Sequence, residues 1–263
     1  VKSITSRDNP LYKDLRQLAV SSQARRKAGR TLLDGVHLCD AYLQHLGAPL
    51  ACVVSESAMK LPEVRAIIAR CKAAAALVVM LSDAMYKPLS QVENGVGILF
   101  LIEEPKVQPP SKLSESAVLL DQVQDPGNLG SILRSAAAAG IREIYCSAGT
   151  ALAWSPRVLR AGMGAHFLLK IFENADLAML IRTSTLPVLA TSSHATQTIY
   201  DADLRQPLAW LYGHEGQGVS ESLLALASGT VAIPHKGAME SLNVAACAAV
   251  CLFEQVRQCE REK

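Results

Sequence analysis

Short apolar runs of strand length alternate with helical patterns along almost all of this 263-residue chain. Such alternation restricts the fold to an α/β class, in which a mostly parallel sheet carries helices on its faces. Two series of this kind are visible. In the first, Ser6-Arg7-Asp8-Asn9-Pro10 opens a helix with Leu11, Leu15 and Leu18 on one face. A basic connector at 25–30 and a strand ending at 31–35 follow it. Then come a helix at 36–46, a strand at 50–55, a helix at 61–71, a strand at 76–81, a helix at 83–89 and a strand at 96–102. The second series starts with a buried-type strand at 117–121 and a helix at 129–139. It continues with a strand at 143–146, a helix at 156–163, strands at 188–191, 209–212 and 230–233, and a closing helix at 241–258. Between the two series, 103–112 is rich in proline and charge and lacks periodicity, as linkers do. The expected organisation is a small α/β domain at 1–104, a linker at 105–115 and a larger α/β domain at 116–263.

Half of the residues are apolar and 19% are charged, a globular composition that argues against disorder. The net charge is only +2, but it is uneven. Residues 1–30 hold eight basic side chains against two acidic ones, so that segment is +6 and the remainder −4. A basic cluster on a near-neutral chain points to an anionic partner at one end, or to a plain solvated helix surface. Seven cysteines at irregular spacings, with no CxxC, read as free thiols in a reducing, cytoplasmic compartment. No HxH or HExxH spacing occurs, so no metal site is expected. The N-terminus has no signal-peptide core, and the apolar run at 244–253 is about half of a membrane span.

In open parallel sheets, ligands bind outside the carboxyl ends of the strands. Several polar loops stand there. Asp125-Pro126-Gly127-Asn128 and Ser241-Leu242-Asn243 each precede an apolar helical run. Ser241 or Glu240 is the expected cap of the last helix, which leaves Asn243 inside its first turn as an amide needing partners. The Gly213-His214-Glu215-Gly216-Gln217-Gly218 loop follows an apolar strand but is neither a GxGxxG fingerprint nor a phosphate-binding loop. By itself it reads as a turn, and Glu215 as either an acid–base group or a loop brace. Arg134, one turn into an alanine-rich helix, is either a surface arginine or a phosphate contact.

Taken in order, these segments resemble the three motifs of the SpoU (TrmH) family of RNA ribose 2'-O-methyltransferases, in the SPOUT superfamily. The first motif runs from Leu119 to Ala136, the second from Leu211 to Val219, and the third from Val231 to Ala245. Arg160-Ala161-Gly162-Met163-Gly164-Ala165 is similar to the family's Arg-Ala-x-x-Gly-Ala stretch, and 3–102 is similar to the small substrate-binding domain that precedes many members.

The resemblance implies a deep trefoil knot, a homodimer packed through the alanine-rich face of the last helix, and S-adenosylmethionine as methyl donor. It implies a cofactor pocket at Thr191, Gly213, Gly218, Ile233, Leu242 and Val244. It assigns catalysis to Arg134, Asn128, Glu215, Ser241 and Asn243. Arg134 then clamps phosphate and orients the hydroxyl, Ser241 braces its loop, and either Glu215 or an RNA phosphate takes the proton. The basic set Arg7, Lys13, Arg25, Arg26, Lys27 and Arg30 holds RNA backbone. Ribosomal RNA of the 23S type is the expected substrate, with transfer RNA or a catalytically inactive RNA-binding module as alternatives. An oxidoreductase is disfavoured by the missing GxGxxG. His214 and His235 depart from the residue types expected at their positions.

Overall fold

In the computed structural model, residues 1–92, 95–239 and 241–260 are described. The chain divides into two compact units, Val1–Lys106 with Trp154–Phe167, and Val107–Ala153 with Leu168–Lys263. The segment Trp154–Phe167, expected in the second domain, thus packs with the first unit.

The first unit is built on five strands: β1 (Lys2–Ile4), β2 (Arg30–Asp34), β3 (Ala51–Ser55), β4 (Leu77–Leu81) and β5 (Ile98–Glu103). Their order is β1-β4-β3-β5-β2, parallel on the β1 side and antiparallel from β3 through β5 to β2. Helices α1 (Pro10–Val20), α2 (Ser22–Ala28), α3 (Val36–His45), α4 (Pro62–Ala73) and α5 (Asp83–Tyr86) connect them, and α7 (Pro156–Gly162) packs beside β2. Asn9 starts α1 by accepting from the amides of Leu11 and Tyr12 at 3.0 and 3.4 Å, with Pro10 at the first helical position. Tyr12, Leu15, Leu18 and Ala19 turn inward.

The connector expected at 25–30 is instead the end of α2, the left-handed Gly29 and the start of β2. Ser21 caps α2 by accepting from the Ala24 amide at 3.1 Å. The short helix buries little apolar surface, so its sequence shows no periodicity.

The second unit is a six-stranded, fully parallel sheet. Its strands are β6 (Ala117–Leu120), β7 (Glu143–Cys146), β8 (Lys170–Phe172), β9 (Val188–Thr191), β10 (Ala209–Tyr212) and β11 (Gly229–Val231). They lie in the order β11-β9-β10-β6-β7-β8. Strands β6, β7 and β10 are buried throughout, as expected of strands covered on both faces. The covering helices are α6 (Pro126–Ala138), α8 (Leu177–Thr183), α9 (Glu221–Leu224) and α10 (Val244–Glu260). Helix α10 packs on α6, and the fully buried Trp210 donates to Gln255 of α10 at 2.9 Å.

The chain runs outward from β6 through β7 to β8, then crosses to the other side of β6 for β9, β10 and β11. The β6/β10 boundary is therefore the switch point at which parallel sheets bind ligands. Among the described residues, no helix is long and apolar enough to cross a membrane.

Candidate active site

The loops leaving the carboxyl ends of β6 and β10 meet at this switch point. Asp121, just past β6, donates its amide to the Tyr212 carbonyl at 2.8 Å and accepts from the Ser220 amide at 2.9 Å. Asp125 then caps α6, accepting from the Asn128 amide at 2.7 Å, with Pro126 at the first helical position. This cap frees the Asn128 side chain to point away from the helix backbone.

The 213–218 loop after β10 closes on itself. The amide of His214 donates to the Gly218 carbonyl at 3.0 Å, and the amide of Gly218 donates back at 2.8 Å. At Gly213 a Cβ atom would come within 2.1–2.2 Å of Gly218 and Val219 backbone atoms, so only glycine fits. The closed loop holds out Glu215. Its carboxylate accepts from the Gln124 amide at 3.2 Å, the Asp125 amide at 3.0 Å and Asn128 Nδ2 at 3.0 Å. Partial burial pushes the Glu215 pKa up. Hydrogen bonds from Asn128, its own amide, Asp125 and Gln124 outweigh that and leave it below the ordinary glutamate value.

The cap of the last helix differs from expectation. Helix α10 begins at Val244, and Asn243 itself is the cap, accepting from the amides of Ala245 and Ala246 at 2.9 and 3.2 Å. Ser241 makes no hydrogen bond among the described residues, and Glu240 lies outside them. The Asn243 amide expected inside the first turn is thus outside it, with its oxygen committed to the helix. Its Nδ2 donates to Asn128 Oδ1 at 2.8 Å. Both amide orientations follow from this chain. Two backbone donors fix the Asn243 oxygen, and a carboxylate that only accepts fixes the Asn128 nitrogen.

Beside this network lies a cavity of about 410 Å³, shaped by the loops after β9, β10 and β11 and by the start of α10. All six expected cofactor residues, Thr191, Gly213, Gly218, Ile233, Leu242 and Val244, line it, as do Glu215 and Ser241. Asn128 and Asn243 adjoin it through Glu215 and the hydrogen bond between them. Arg134, eight residues after the start of α6, is exposed, with no hydrogen bond or ion pair among the described residues. The walls combine apolar side chains such as Val219, Leu224, Ile233 and Leu242 with loop backbone and the Thr191 and Ser192 hydroxyls. That mix suits an adenosyl group carrying polar ends. Cys247, a turn into α10, also lines the cavity and was not expected there. Its place became legible only once Asn243 was known to be the cap.

The basic set in the first unit divides. Arg7, Arg26 and Lys27 are exposed, and Lys13 is exposed with an ion pair to Asp8 at 2.8 Å. Arg30 pairs with Asp14 at 2.9 Å. Arg25 departs from the expectation of an RNA contact: it is only 9% exposed and donates to the Leu18 carbonyl at 2.6 Å, tying α2 to the end of α1. A larger cavity in this unit, about 650 Å³, holds none of the expected site residues. Its charged groups are largely engaged within the unit, Asp34 by Ser90 and Gln91, Asp40 by Arg70, and Arg160 by the Gln91 carbonyl.

Comparison with known proteins places the chain in a family. The sequence model of the SpoU rRNA Methylase family matches residues 115–253. An uncharacterised tRNA/rRNA methyltransferase of Synechocystis sp. is 35% identical over 263 residues, covering 98% of this chain and 94% of the relative. The 23S rRNA (guanosine(2553)-2'-O)-methyltransferase RlmP of Bacillus subtilis is 27% identical, covering 96% and 98%. A crystal structure of an AdoMet-bound rRNA methyltransferase from Sinorhizobium meliloti superposes with a TM-score of 0.84 at 27% identity, covering 97% of each chain. The mixed α/β fold with its parallel sheet matches solved SpoU methyltransferase structures. The chain belongs to the SpoU rRNA Methylase family.

Proposed function

We infer that this protein transfers a methyl group from S-adenosylmethionine to a ribose 2'-hydroxyl of ribosomal RNA. The observation that carries the reading is the hydrogen-bonded chain Glu215–Asn128–Asn243, which joins all three motif loops beside the cavity. The relatives add the substrate class, since RlmP is a 23S rRNA 2'-O-methyltransferase.

When bound, S-adenosylmethionine supplies a sulfonium methyl that is already activated for displacement. The cavity residues Gly213, Ile233 and Leu242 would hold it by backbone and apolar contact, with Thr191, Gly218 and Val244 completing the wall. The remaining work of the protein is orientation. Asn128, locked from both sides by Glu215 and Asn243, presents a fixed edge to the nucleotide. Arg134 has no partner to leave among the described residues and reaches an RNA phosphate or the ribose. Arginine holds its proton too firmly to serve as a base. Glu215 already accepts three hydrogen bonds and so braces the loops, and either Glu215 or an RNA phosphate takes the hydroxyl proton.

The reading extends to the deep trefoil knot that the family resemblance implies. It extends to a homodimer through α10, where Phe253 is 48% exposed, and to a cytoplasmic site of action. The exposed Arg7, Lys13, Arg26 and Lys27 serve as RNA-backbone contacts. Calorimetric titration with S-adenosylmethionine, followed by transfer of labelled methyl to ribosomal RNA, tests the core of the reading. Absence of binding at millimolar ligand would overturn it.

A further inference from the structure

His214 has an unusual hydrogen-bonding role for a histidine. Its ring Nδ1 accepts from two backbone amides of its own loop, Gly216 at 2.9 Å and Gln217 at 3.3 Å. A ring nitrogen that accepts carries no proton, so the imidazole is neutral with its hydrogen on Nε2. Two other residues of this chain use the same arrangement, one acceptor taking the amides two and three positions on. Asn9 takes those of Leu11 and Tyr12, and Asn243 takes those of Ala245 and Ala246. At 213–218, histidine does what asparagine does elsewhere, with one chemical difference. Protonation turns Nδ1 into a donor facing two donors, and the turn loses both bonds.

The consequence reaches beyond the loop. The next residue is Glu215, whose carboxylate holds Asn128 and the amides of Gln124 and Asp125. The loop backbone itself, from Gly213 to Gly218, lines the proposed cofactor cavity. The geometry points to His214 as a positioning residue: its neutral ring sets the shape of the 213–218 loop, and its protonation loosens the cofactor pocket and the Glu215 anchor together. This rests on reading that cavity as the cofactor site. The other ionisable groups lining the cavity are Glu215 on the same loop, His194 after β9, Glu221 at α9, His235 after β11 and Cys247 on α10. His194 and His235 line the same cavity, so an acid effect alone does not assign the role.

The test measures affinity for S-adenosylhomocysteine by calorimetry at about pH 8 and about pH 6 for the wild type, His214→Asn and His214→Ala. Losing two neutral hydrogen bonds corresponds to roughly tenfold in affinity. The wild type is expected to weaken at the lower pH by less than His214→Ala does, because the two bonds themselves favour the neutral ring. His214→Asn is expected to restore the turn and bind within about threefold of the wild type's alkaline value at both pH values. His214→Ala is expected to bind about tenfold more weakly at both. Equal binding by His214→Ala and the wild type overturns the proposal. So does an unchanged acid loss in His214→Asn, which assigns that loss to His194 or His235. Imidazole ¹⁵N spectra of the wild type provide a readout independent of the ligand. A proton on Nδ1 at about pH 8 overturns the proposal, whereas an unprotonated Nδ1 in a protein that binds no cofactor leaves the turn standing and defeats only the functional reading.

Discussion

Asn243 donates its side-chain amide to Asn128 Oδ1 at 2.8 Å, linking two helix starts that lie 115 residues apart. The Asn243 oxygen meanwhile caps α10. The two halves of one amide therefore do separable work. Asn243→Asp keeps the capping oxygen but loses the donor. It is expected to unfold within about 0.5 kcal/mol of the wild type and to lose most methyl transfer. Asn243→Ala loses both, and its stability is expected to fall by about 1 kcal/mol as well. Thermal unfolding and transfer rates on the same samples check the separation; full activity in Asn243→Asp would break the link between Asn128 orientation and catalysis.

Glu215 predicts a pH dependence of stability with a definite sign. Its folded pKa lies below the ordinary value, held down by Asn128 and the Asp125 and Gln124 amides against partial burial. Its stabilisation is therefore present above the unfolded glutamate value, about 4.3, and is lost as pH falls through the lower folded value. The side chain is largely exposed, so solvent screening limits the effect to a fraction of about 1 kcal/mol. Urea midpoints for the wild type and Glu215→Gln are expected to differ at neutral pH and to converge in acid. A gap that widens in acid would contradict the assignment.

Neighbouring arginines on α2 are expected to behave oppositely. Arg25 is buried against the Leu18 carbonyl, whereas Arg26 and Lys27 are exposed. Arg25→Ala leaves a buried carbonyl without its donor and is expected to destabilise by about 1–3 kcal/mol. Arg26→Ala with Lys27→Ala is expected to leave unfolding unchanged while weakening RNA binding and flattening its salt dependence. Filter binding at several salt concentrations, set beside thermal melts, distinguishes the two patterns.

Gly213 is predicted to be irreplaceable. A methyl group there would meet Gly218 and Val219 backbone at 2.1–2.2 Å, atoms that cannot yield without opening the loop. Gly213→Ala is expected to abolish cofactor binding, measured by calorimetry, while the far-ultraviolet circular dichroism of the sheet persists.

Much of this was legible in the residues. The continuous apolar run at 117–120 announced a buried-type strand, and the structure buries it throughout, as it does the strands read at 143–146 and 209–212. The six residues expected to hold the cofactor fell on one cavity because loops that leave parallel strands converge at one sheet edge. Strands β1 and β8 are three residues each, too short to show a period. Helix α2 buries too little to display a face. Asn243 was placed inside α10, because Ser241 and Glu240 look like better caps on the one-dimensional chain. The cap falls two residues later than that reading allowed, at Asn243, whose amide nitrogen meets Asn128. The inward turn of Arg25 was equally hidden, since charge clusters do not reveal which member meets a carbonyl.

The central claim is ribose methylation of ribosomal RNA through Arg134, an exposed cation with no partner among the described residues. The most direct measurement maps 2'-O-methylation across ribosomal RNA from cells lacking the protein and from cells restored with the wild type or Arg134→Ala. The account predicts that ribose methylation at a discrete site disappears on deletion, returns with the wild type and fails to return with Arg134→Ala, although that variant still folds and binds the cofactor. An unchanged methylation map on deletion, or full restoration by Arg134→Ala, would contradict it.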